Sequence, residues 1–237
     1  MQSRTSVTGL NPPRIYCLAP AAIADVETRA RTLAQASDMQ FDSILLCHTG
    51  TFASSDQDNA PADADVDRAI SALAAACAQR GLRLLLDLEI DRFASGHALI
   101  AQHAEQFFSR DDGAQTLPDP RIPHSLTPDR RVRLRLDAAG TELALTYWQT
   151  RIAGWLGAGV AGFRCLDIGR IPPALWQRLI ARSKLDKGDA DFFAWTPGCT
   201  PEQLQAVQEC GFDAVFSSDA WWDYRAGWLA EEHARLA

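Results

Sequence analysis

Carboxylates and arginines stand at the ends of two apolar runs in the middle of the chain. One run closes on Asp87, with Asp91 and Arg92 shortly after it, and a second run leads to Arg164 and then Asp167. Carboxyl groups serve as general acids, bases and nucleophiles in hydrolysis and group transfer. A partly buried Asp beside an Arg is equally typical of a structural ion pair. These five side chains are therefore the first candidates for chemistry.

Several other kinds of site are disfavoured by composition. The 30 Asp and Glu outnumber the 23 Lys and Arg, and the resulting net charge of -7 argues against a nucleic-acid partner. The six cysteines are scattered singly, without a Cys-x-x-Cys pair, so we expect reduced thiols and no metal site. Phosphate-loop and dinucleotide fingerprints are also missing from the sequence, and no cofactor is expected.

The hydropathy pattern predicts a cytoplasmic protein. No segment approaches the roughly 18 consecutive apolar residues of a membrane span. The first six residues also lack the apolar core of a signal peptide, so we expect no membrane partner.

Short β-rich runs alternate with longer segments of helical period along the whole chain. This alternation is typical of βα units around a parallel sheet, and 237 residues suffice for one such domain. We therefore predict a single α/β domain over 1–237. The six predicted strands are 14–18, 43–47, 82–87, 160–166, 192–195 and 214–217. The predicted helices are 23–34, a segment around 66–77, 141–156, 173–182, 201–210 and 220–236.

Two segments do not fit the alternation. A polar loop is predicted over 51–65, and a long excursion with little strand pattern is predicted over 91–137, where four prolines interrupt any long element. An open sheet of six strands would leave two edges, which natural sheets normally close or cover. Either further strands or a partner should provide that cover.

Two of the predicted strands carry motifs that resemble those of a known family. The segment 80–92, RGLRLLLDLEIDR, resembles the third-strand motif of glycoside hydrolase family 13, the α-amylase superfamily, and the segment 159–164, GVAGFR, resembles its fourth-strand motif. Later segments look like those of bacterial maltose-1-phosphate maltosyltransferases and their relatives: PPALW at 172–176, GCTPEQ at 198–203, GFD at 211–213 and SDAWWD at 218–223. The resemblance runs from about residue 14 to the end.

The resemblance implies an incomplete (β/α) TIM-type barrel, with about six of eight strands, an insert at 91–137 and a glucan-binding cleft at the carboxyl ends of the strands. Family members use two carboxyl groups, one as nucleophile and one as general acid. Leu166 occupies the nucleophile position, two residues after the motif arginine, and Trp195 occupies the acid position at the end of the fifth strand. The family's His-Asp pair on the seventh strand lies beyond the last residue of this sequence.

Asp167 and Trp195 each leave two interpretations open. Asp167 lies one residue past the nucleophile position, and such an offset turns a strand side chain to the opposite face unless a bulge corrects it. It is either a displaced nucleophile or a structural residue that caps the next helix or pairs with an Arg. Trp195 has no proton to exchange at neutral pH, so it either stacks on a sugar or fills the barrel mouth.

By the same resemblance, five residues are expected to bind substrate or organise the cleft. Asp87 matches the family's third-strand aspartate, whereas Asp91 and Arg92 replace an Asn-His pair that holds glucose. Arg164 would orient the nucleophile, a role that becomes structural beside Leu166. Trp195 completes this set.

Three functions follow as hypotheses. The first is a catalytically degenerate domain that binds α-glucan or a maltosyl ligand, or supports an active maltosyltransferase domain. The second is an active α-glucan transferase or hydrolase that recruits Asp167, Glu89 or Asp219, which would require two carboxyl groups roughly 5–5.5 Å apart. The third is a structural or interaction protein whose sheet edges drive self-association, so that its mass would depend on concentration.

Overall fold

A six-stranded parallel sheet organises the computed structural model, which describes residues 12–20, 25–47, 62–108 and 131–236. In chain order the strands are β1 (Ile15–Leu18), β2 (Ser43–Leu46), β3 (Arg83–Leu88), β4 (Arg92–Phe93), β5 (Val132–Arg133), β6 (Val160–Cys165), β7 (Asp191–Trp195) and β8 (Ala214–Phe216). The main sheet runs β1-β2-β3-β6-β7-β8, and every neighbouring pair in it is parallel. The prediction of six parallel strands is therefore confirmed.

A helix follows each strand of the main sheet except β3, which is followed by an insert that contains one helix and leads into another. The helices are α1 (Val26–Asp38), α2 (Asp63–Ala78), α3 (Ala98–Gln102), α4 (Ala138–Gly157), α5 (Pro173–Asp186), α6 (Pro201–Val207) and α7 (Ala226–Leu236). Local sequence sets their starts: the Asp25 carboxylate accepts from the Thr28 N–H at 2.8 Å, and Thr200 forms a capping box with Gln203. Several predicted helix bounds were wrong: α1 and α5 each end four residues later than predicted, α6 ends three residues earlier at Val207, and α7 begins only at Ala226, after a 3₁₀ turn at Asp219–Trp221.

The two faces of the sheet have different surroundings. Alternate strand residues such as Ile44, Leu86 and Phe192 point outward into the main core, where they are fully buried beneath the helices. The opposite face carries a smaller apolar cluster of Leu45, Leu85 and Phe193, which Cys47, Phe216 and others border. Polar side chains at the carboxyl ends of the strands lie on this inner face.

An irregularity between β3 and β6 determines which residues face each other at the site. Leu84 pairs with Val160, but Leu85 pairs with Gly162, so β6 contains one extra residue. Gly162 is required there, since a Cβ at this position would lie 2.4 Å from the Asp191 carbonyl oxygen on β7. Beyond the bulge, Asp87 faces Arg164.

Within the described ranges, the main sheet ends at β1 on one side and β8 on the other. Val215 on the outer side of β8 is 48% exposed, in contrast to the buried outward residues of the central strands. The next helix, α7, is held instead by Glu232, which accepts from the Ser218 N–H at 2.9 Å and pairs with Arg235 at 2.6 Å.

The insert after β3 contains more structure than its sequence predicted. β4 pairs antiparallel with β5 through Arg92 opposite Arg133 and Phe93 opposite Val132, and α3 lies between them in the chain. Strands of two residues are too short to produce a detectable alternation of apolar and polar residues in the sequence. The four prolines of the insert lie outside the described residues, as does most of the predicted loop 51–65, whose last three residues begin α2.

None of the helices in the described part of the chain combines the length and hydropathy needed to cross a bilayer.

Candidate functional site

Asp87 and Arg164 form a buried ion pair at the carboxyl ends of β3 and β6. The guanidinium donates from Nε to Asp87 Oδ1 at 2.6 Å and from Nη2 to Oδ2 at 2.8 Å. The side chains are 0% and 8% exposed, respectively. Burial opposes the charged form of Arg164, but the hydrogen bonds and charge of Asp87 outweigh it, so the pKa of Arg164 is raised. The two parallel hydrogen bonds make the pair bidentate.

Asp167 and Arg92 form a second pair in the loop after β6. The Arg92 Nε lies 3.0 Å from Asp167 Oδ2, and the carboxylate side chain is only 9% exposed. Asp167 has a φ of +52°, a left-handed conformation that Asp tolerates better than most residues. α5 begins after Pro172, so Asp167 does not cap it. Of the interpretations based on sequence, the pairing with an Arg is the arrangement present.

Leu166 lies between these two pairs and is completely buried. Its N–H donates to the Leu88 carbonyl at 3.0 Å, which extends the β3–β6 pairing past the end of the strands. An apolar side chain at this point fills space that solvent and solutes do not reach.

Two further carboxylates after β3 are also held by arginines. Asp91 accepts from Arg170 Nη2 at 2.6 Å and lies 3.5 Å from Arg133 Nε, and it is almost fully buried. Glu89 pairs with Arg131, and both side chains are buried. Asp219, the third carboxylate considered from sequence, is exposed and lies 3.6 Å from His233 on α7.

Three arginines of this network were not found from sequence. Arg131 and Arg133 belong to an alternating run that continues to Arg135, and a period of two indicates one face of a strand. Arg131 and Arg133 reach carboxylates after β3, whereas Arg135 donates to the Phe107 carbonyl at 3.4 Å. The alternation could have revealed them, but Arg170 stands in a loop without a comparable signal.

Trp195 closes β7 and is half-buried. Arg164 Cζ lies 4.8 Å from the centre of its ring, within cation–π range. Phe216 packs at 5.2 Å between ring centres and Trp221 contacts it edge-on at 6.1 Å. The indole therefore fills much of the barrel mouth while keeping part of its surface accessible.

A small cavity lies beside Trp195, between the loops that follow β6 and β7. Its volume is about 90 Å³, and it is lined by residues that include Asp167, Arg170, Trp195 and Gln203. Pockets that enclose organic ligands usually measure about 300–1,000 Å³, whereas each water of the bulk liquid takes about 30 Å³. The cavity therefore has room for a few waters but not for a sugar ring.

Metal-ligating side chains do not cluster in the described ranges, where no group of three or more His, Cys, Asp or Glu has the geometry of a metal site.

Comparison with known proteins matches both the sequence motifs and the fold. No family model matches the chain. An α-1,4-glucan:maltose-1-phosphate maltosyltransferase of Burkholderia pseudomallei is 31% identical over 172 residues, which are 73% of this chain and 15% of that protein. The chain thus spans less than a sixth of the curated relative.

Solved structures show the same architecture. An α-amylase from Lactobacillus plantarum superimposes with a TM-score of 0.59 over 92% of this chain and 56% of its own, at 17% identity. Amy13B of Eubacterium rectale gives 0.62 over 88% and 50%, at 16% identity. An α-amylase from Geobacillus thermoleovorans complexed with acarbose gives 0.53 over 86% and 49%, at 15% identity. The chain spans about half the length of these structures.

The protein is therefore an α/β domain with part of an α-amylase-type barrel. The sequence match and this fold together make the chain similar to members of the α-amylase superfamily, glycoside hydrolase family 13.

Proposed function

We propose that this chain is a catalytically degenerate α-amylase-type domain that supports a larger maltosyltransferase-like assembly. The observation that carries the proposal is the pairing of every acidic side chain from Asp87 to Asp91, and of Asp167, with an arginine. These carboxylates fit a structural role better than the attack and protonation that glycoside chemistry requires.

The nucleophile and acid positions argue in the same direction. Leu166 is apolar and fully buried, so it offers neither a lone pair nor access to an anomeric carbon. Trp195 has no proton to donate at neutral pH. Because removal of essential catalytic groups costs orders of magnitude in rate, two such replacements leave little basis for turnover.

A displaced nucleophile at Asp167 would have little access to an anomeric carbon. Its carboxylate is held by Arg92 Nε at 3.0 Å and its side chain is only 9% exposed. An active transferase or hydrolase that recruits Asp167, the second hypothesis drawn from sequence, is therefore kept as one outcome of the activity assay below.

The supporting role is tested by association with an active enzyme. The curated relative, 31% identical over 172 residues, is a maltosyltransferase, so an enzyme of that kind is the partner to try. A purified active maltosyltransferase from the same source should shift this chain to a larger species in size-exclusion chromatography. Elution of the chain alone at monomer mass would contradict this role, and a mass that rises with concentration would favour self-association.

Catalytic degeneracy is tested by a sensitive assay for reducing-sugar and phosphate release from maltoheptaose and maltose 1-phosphate. We expect no turnover by the purified chain. Turnover that Asp167→Asn abolishes, and that Asp219→Asn at an exposed position leaves unchanged, would show that Asp167 has been recruited as a nucleophile.

Glucan binding without turnover is a second candidate, which the partly exposed indole of Trp195 favours, because a sugar ring could stack on its accessible face. Calorimetric titration with maltoheptaose should then give binding that Trp195→Ala removes. Trp222→Ala is the matched control, because Trp222 is 36% exposed and its Nε1 donates to the Arg225 carbonyl, away from the cavity. Binding unaffected by Trp195→Ala would exclude this site.

A further inference from the structure

His97 connects the insert to the two helices that lie beside it. It stands at the N-cap of α3, where its Nδ1 accepts a hydrogen bond from the Leu99 N–H at 3.1 Å. Its Nε2 lies 3.2 Å from Asp63 Oδ1 on α2 and 3.2 Å from the hydroxyl oxygen of Tyr147 on α4. The imidazole side chain is only 13% exposed. One largely buried ring therefore contacts α2, α3 and α4.

These hydrogen bonds determine which ring nitrogen carries the proton. A backbone N–H donates only to a nitrogen with a free lone pair, so Nδ1 of His97 is unprotonated and Nε2 carries the proton of the neutral ring. Nε2 donates to Asp63, which also accepts from the Tyr147 hydroxyl at 3.1 Å. A protonated ring carries hydrogen on both nitrogens and cannot accept from Leu99. The side-chain cap of α3 therefore exists only while His97 is neutral.

The charges around the ring act in opposite directions on its protonation. Asp63 favours the charged ring, whereas Arg151 on α4 opposes it. The Arg151 guanidinium lies 2.8 Å from the Asp63 carboxylate and 2.9 Å from that of Asp67, one turn further along α2. Phe93 on β4 adds an uncharged ring at 5.2 Å between ring centres, and α3 itself, ALIAQ, contains no charged side chain.

The partners of His97 keep their charge near neutral pH. Burial raises the pKa of Asp63, but the hydrogen bond from His97 and the charge of Arg151 outweigh it, so this pKa is lowered and Asp63 stays ionised. Burial also raises the pKa of Tyr147, against the charge of Arg151, so its hydroxyl stays neutral. Histidine side chains ordinarily change charge between about pH 5 and 8. A fall in pH over that range therefore alters the ring and leaves Asp63 and Tyr147 as they are.

We propose that His97 is a pH-sensitive switch, which caps α3 and connects it to α2 and α4 when neutral and releases the first turn of α3 when protonated. On protonation the ring keeps its contact with Asp63, now as an ion pair, and loses the hydrogen bond from Leu99. The change is thus confined to the insert and does not involve the main sheet. The proposal is independent of the function proposed above.

The test measures hydrogen exchange of the full chain by NMR between about pH 8 and pH 5, with every rate corrected for the intrinsic rate at that pH. We expect the protection of the Leu99 amide to fall about two- to thirtyfold on acidification, which is the usual effect of losing an N-cap. Amides of β3 serve as the internal reference, because amides in a central strand report global unfolding.

Three variants separate the imidazole from effects of pH elsewhere in the chain. Asn is among the strongest N-cap residues but does not titrate, so His97→Asn should make the protection of Leu99 independent of pH. His103→Asn is the matched control, because His103 is the C-cap of the same helix, and it should leave the wild-type response unchanged. Asp63→Asn removes the charge that favours the protonated ring, so the midpoint of the response should move to lower pH. Circular dichroism checks that each variant folds.

Four results would overturn the proposal. The first is a wild-type Leu99 protection that stays constant over this range, and the second is a pH response that persists in His97→Asn. The third is an unchanged midpoint in Asp63→Asn, because the ring would then not sense the carboxylate. The fourth requires no variant: a long-range proton–nitrogen NMR spectrum identifies the protonated ring nitrogen, and a proton on Nδ1 of neutral His97 would contradict the cap.

Discussion

The buried pair of Asp87 and Arg164 allows a quantitative test of whether the strand-end network is structural. Its two hydrogen bonds measure 2.6 and 2.8 Å, and its side chains are 0% and 8% exposed. Removal of one partner leaves an uncompensated buried charge, which costs about 3–5 kcal/mol. In a domain of this size each kcal/mol lowers Tm by about 2–4 °C, so Asp87→Leu should lower Tm by about 6–20 °C.

The double variant Asp87→Leu with Arg164→Met should behave very differently. Replacing both charges with apolar side chains of similar volume is often neutral or stabilising. The double variant should therefore recover most of the loss, and the double-mutant cycle should show a coupling energy of at least about 2 kcal/mol. Urea denaturation followed by circular dichroism gives all four free energies of unfolding.

An exposed pair of the same chemistry is the control. Arg178 on α5 holds Glu142 on α4 through Nη1 and Nη2, but these side chains are 48% and 59% exposed. Glu142→Gln should cost no more than about 1 kcal/mol. The reasoning would be refuted by a cost below about 1 kcal/mol for Asp87→Leu, or by a double variant whose loss equals the sum of the single losses.

Three more predictions follow from described contacts. Arg235 lowers the pKa of Glu232 to about 2. The ionised Glu232 therefore adds to the free energy of unfolding above its unfolded pKa of about 4.3, and this addition is lost as pH falls towards 2. The difference in free energy of unfolding between wild type and Glu232→Gln, measured in urea, should disappear over that range. Tyr147→Phe should cost about 1 kcal/mol in the same assay, because its partly buried hydroxyl donates to Asp63 at 3.1 Å. Leu166→Asp should lower Tm by several degrees without release of reducing sugar, since it adds a buried charge but no general acid.

The positions of the six strands could be predicted because they depend on local pattern. A strand covered by helices reads as a nearly continuous apolar run, and the segment before Asp87 is such a run. Some helix starts likewise depend on a few consecutive residues, as at α6, where Thr200 forms a capping box. The less accurate bounds, which are the ends of α1, α5 and α6 and the start of α7, depend on turns that have no strong sequence period.

The sequence could predict which residues form the site, but not how they pair. The sequence identified Asp87, Arg164, Asp167 and Arg92, but not which acid pairs with which base. The Asp87–Arg164 pairing depends on the extra residue at the start of β6, because an unshifted register would place Phe163 opposite Asp87. Such a bulge arises from how three strands pack together, so hydrophobic periodicity cannot reveal it.

The charge of the strand-end network provides a separate argument about chemistry. Among the described residues, four carboxylates meet five guanidinium groups, which gives a formal charge of +1 in a chain whose net charge is -7. The acids are Asp87, Glu89, Asp91 and Asp167, and the arginines are Arg92, Arg131, Arg133, Arg164 and Arg170. Glycoside cleavage passes through a transition state that resembles an oxocarbenium ion, so its positive charge is stabilised by an excess of carboxylate. Among the described residues each of these carboxylates is matched by a guanidinium group, so one acid returned at Leu166 would not create an excess of carboxylate. Recovery of activity would require the return of both catalytic carboxyl groups.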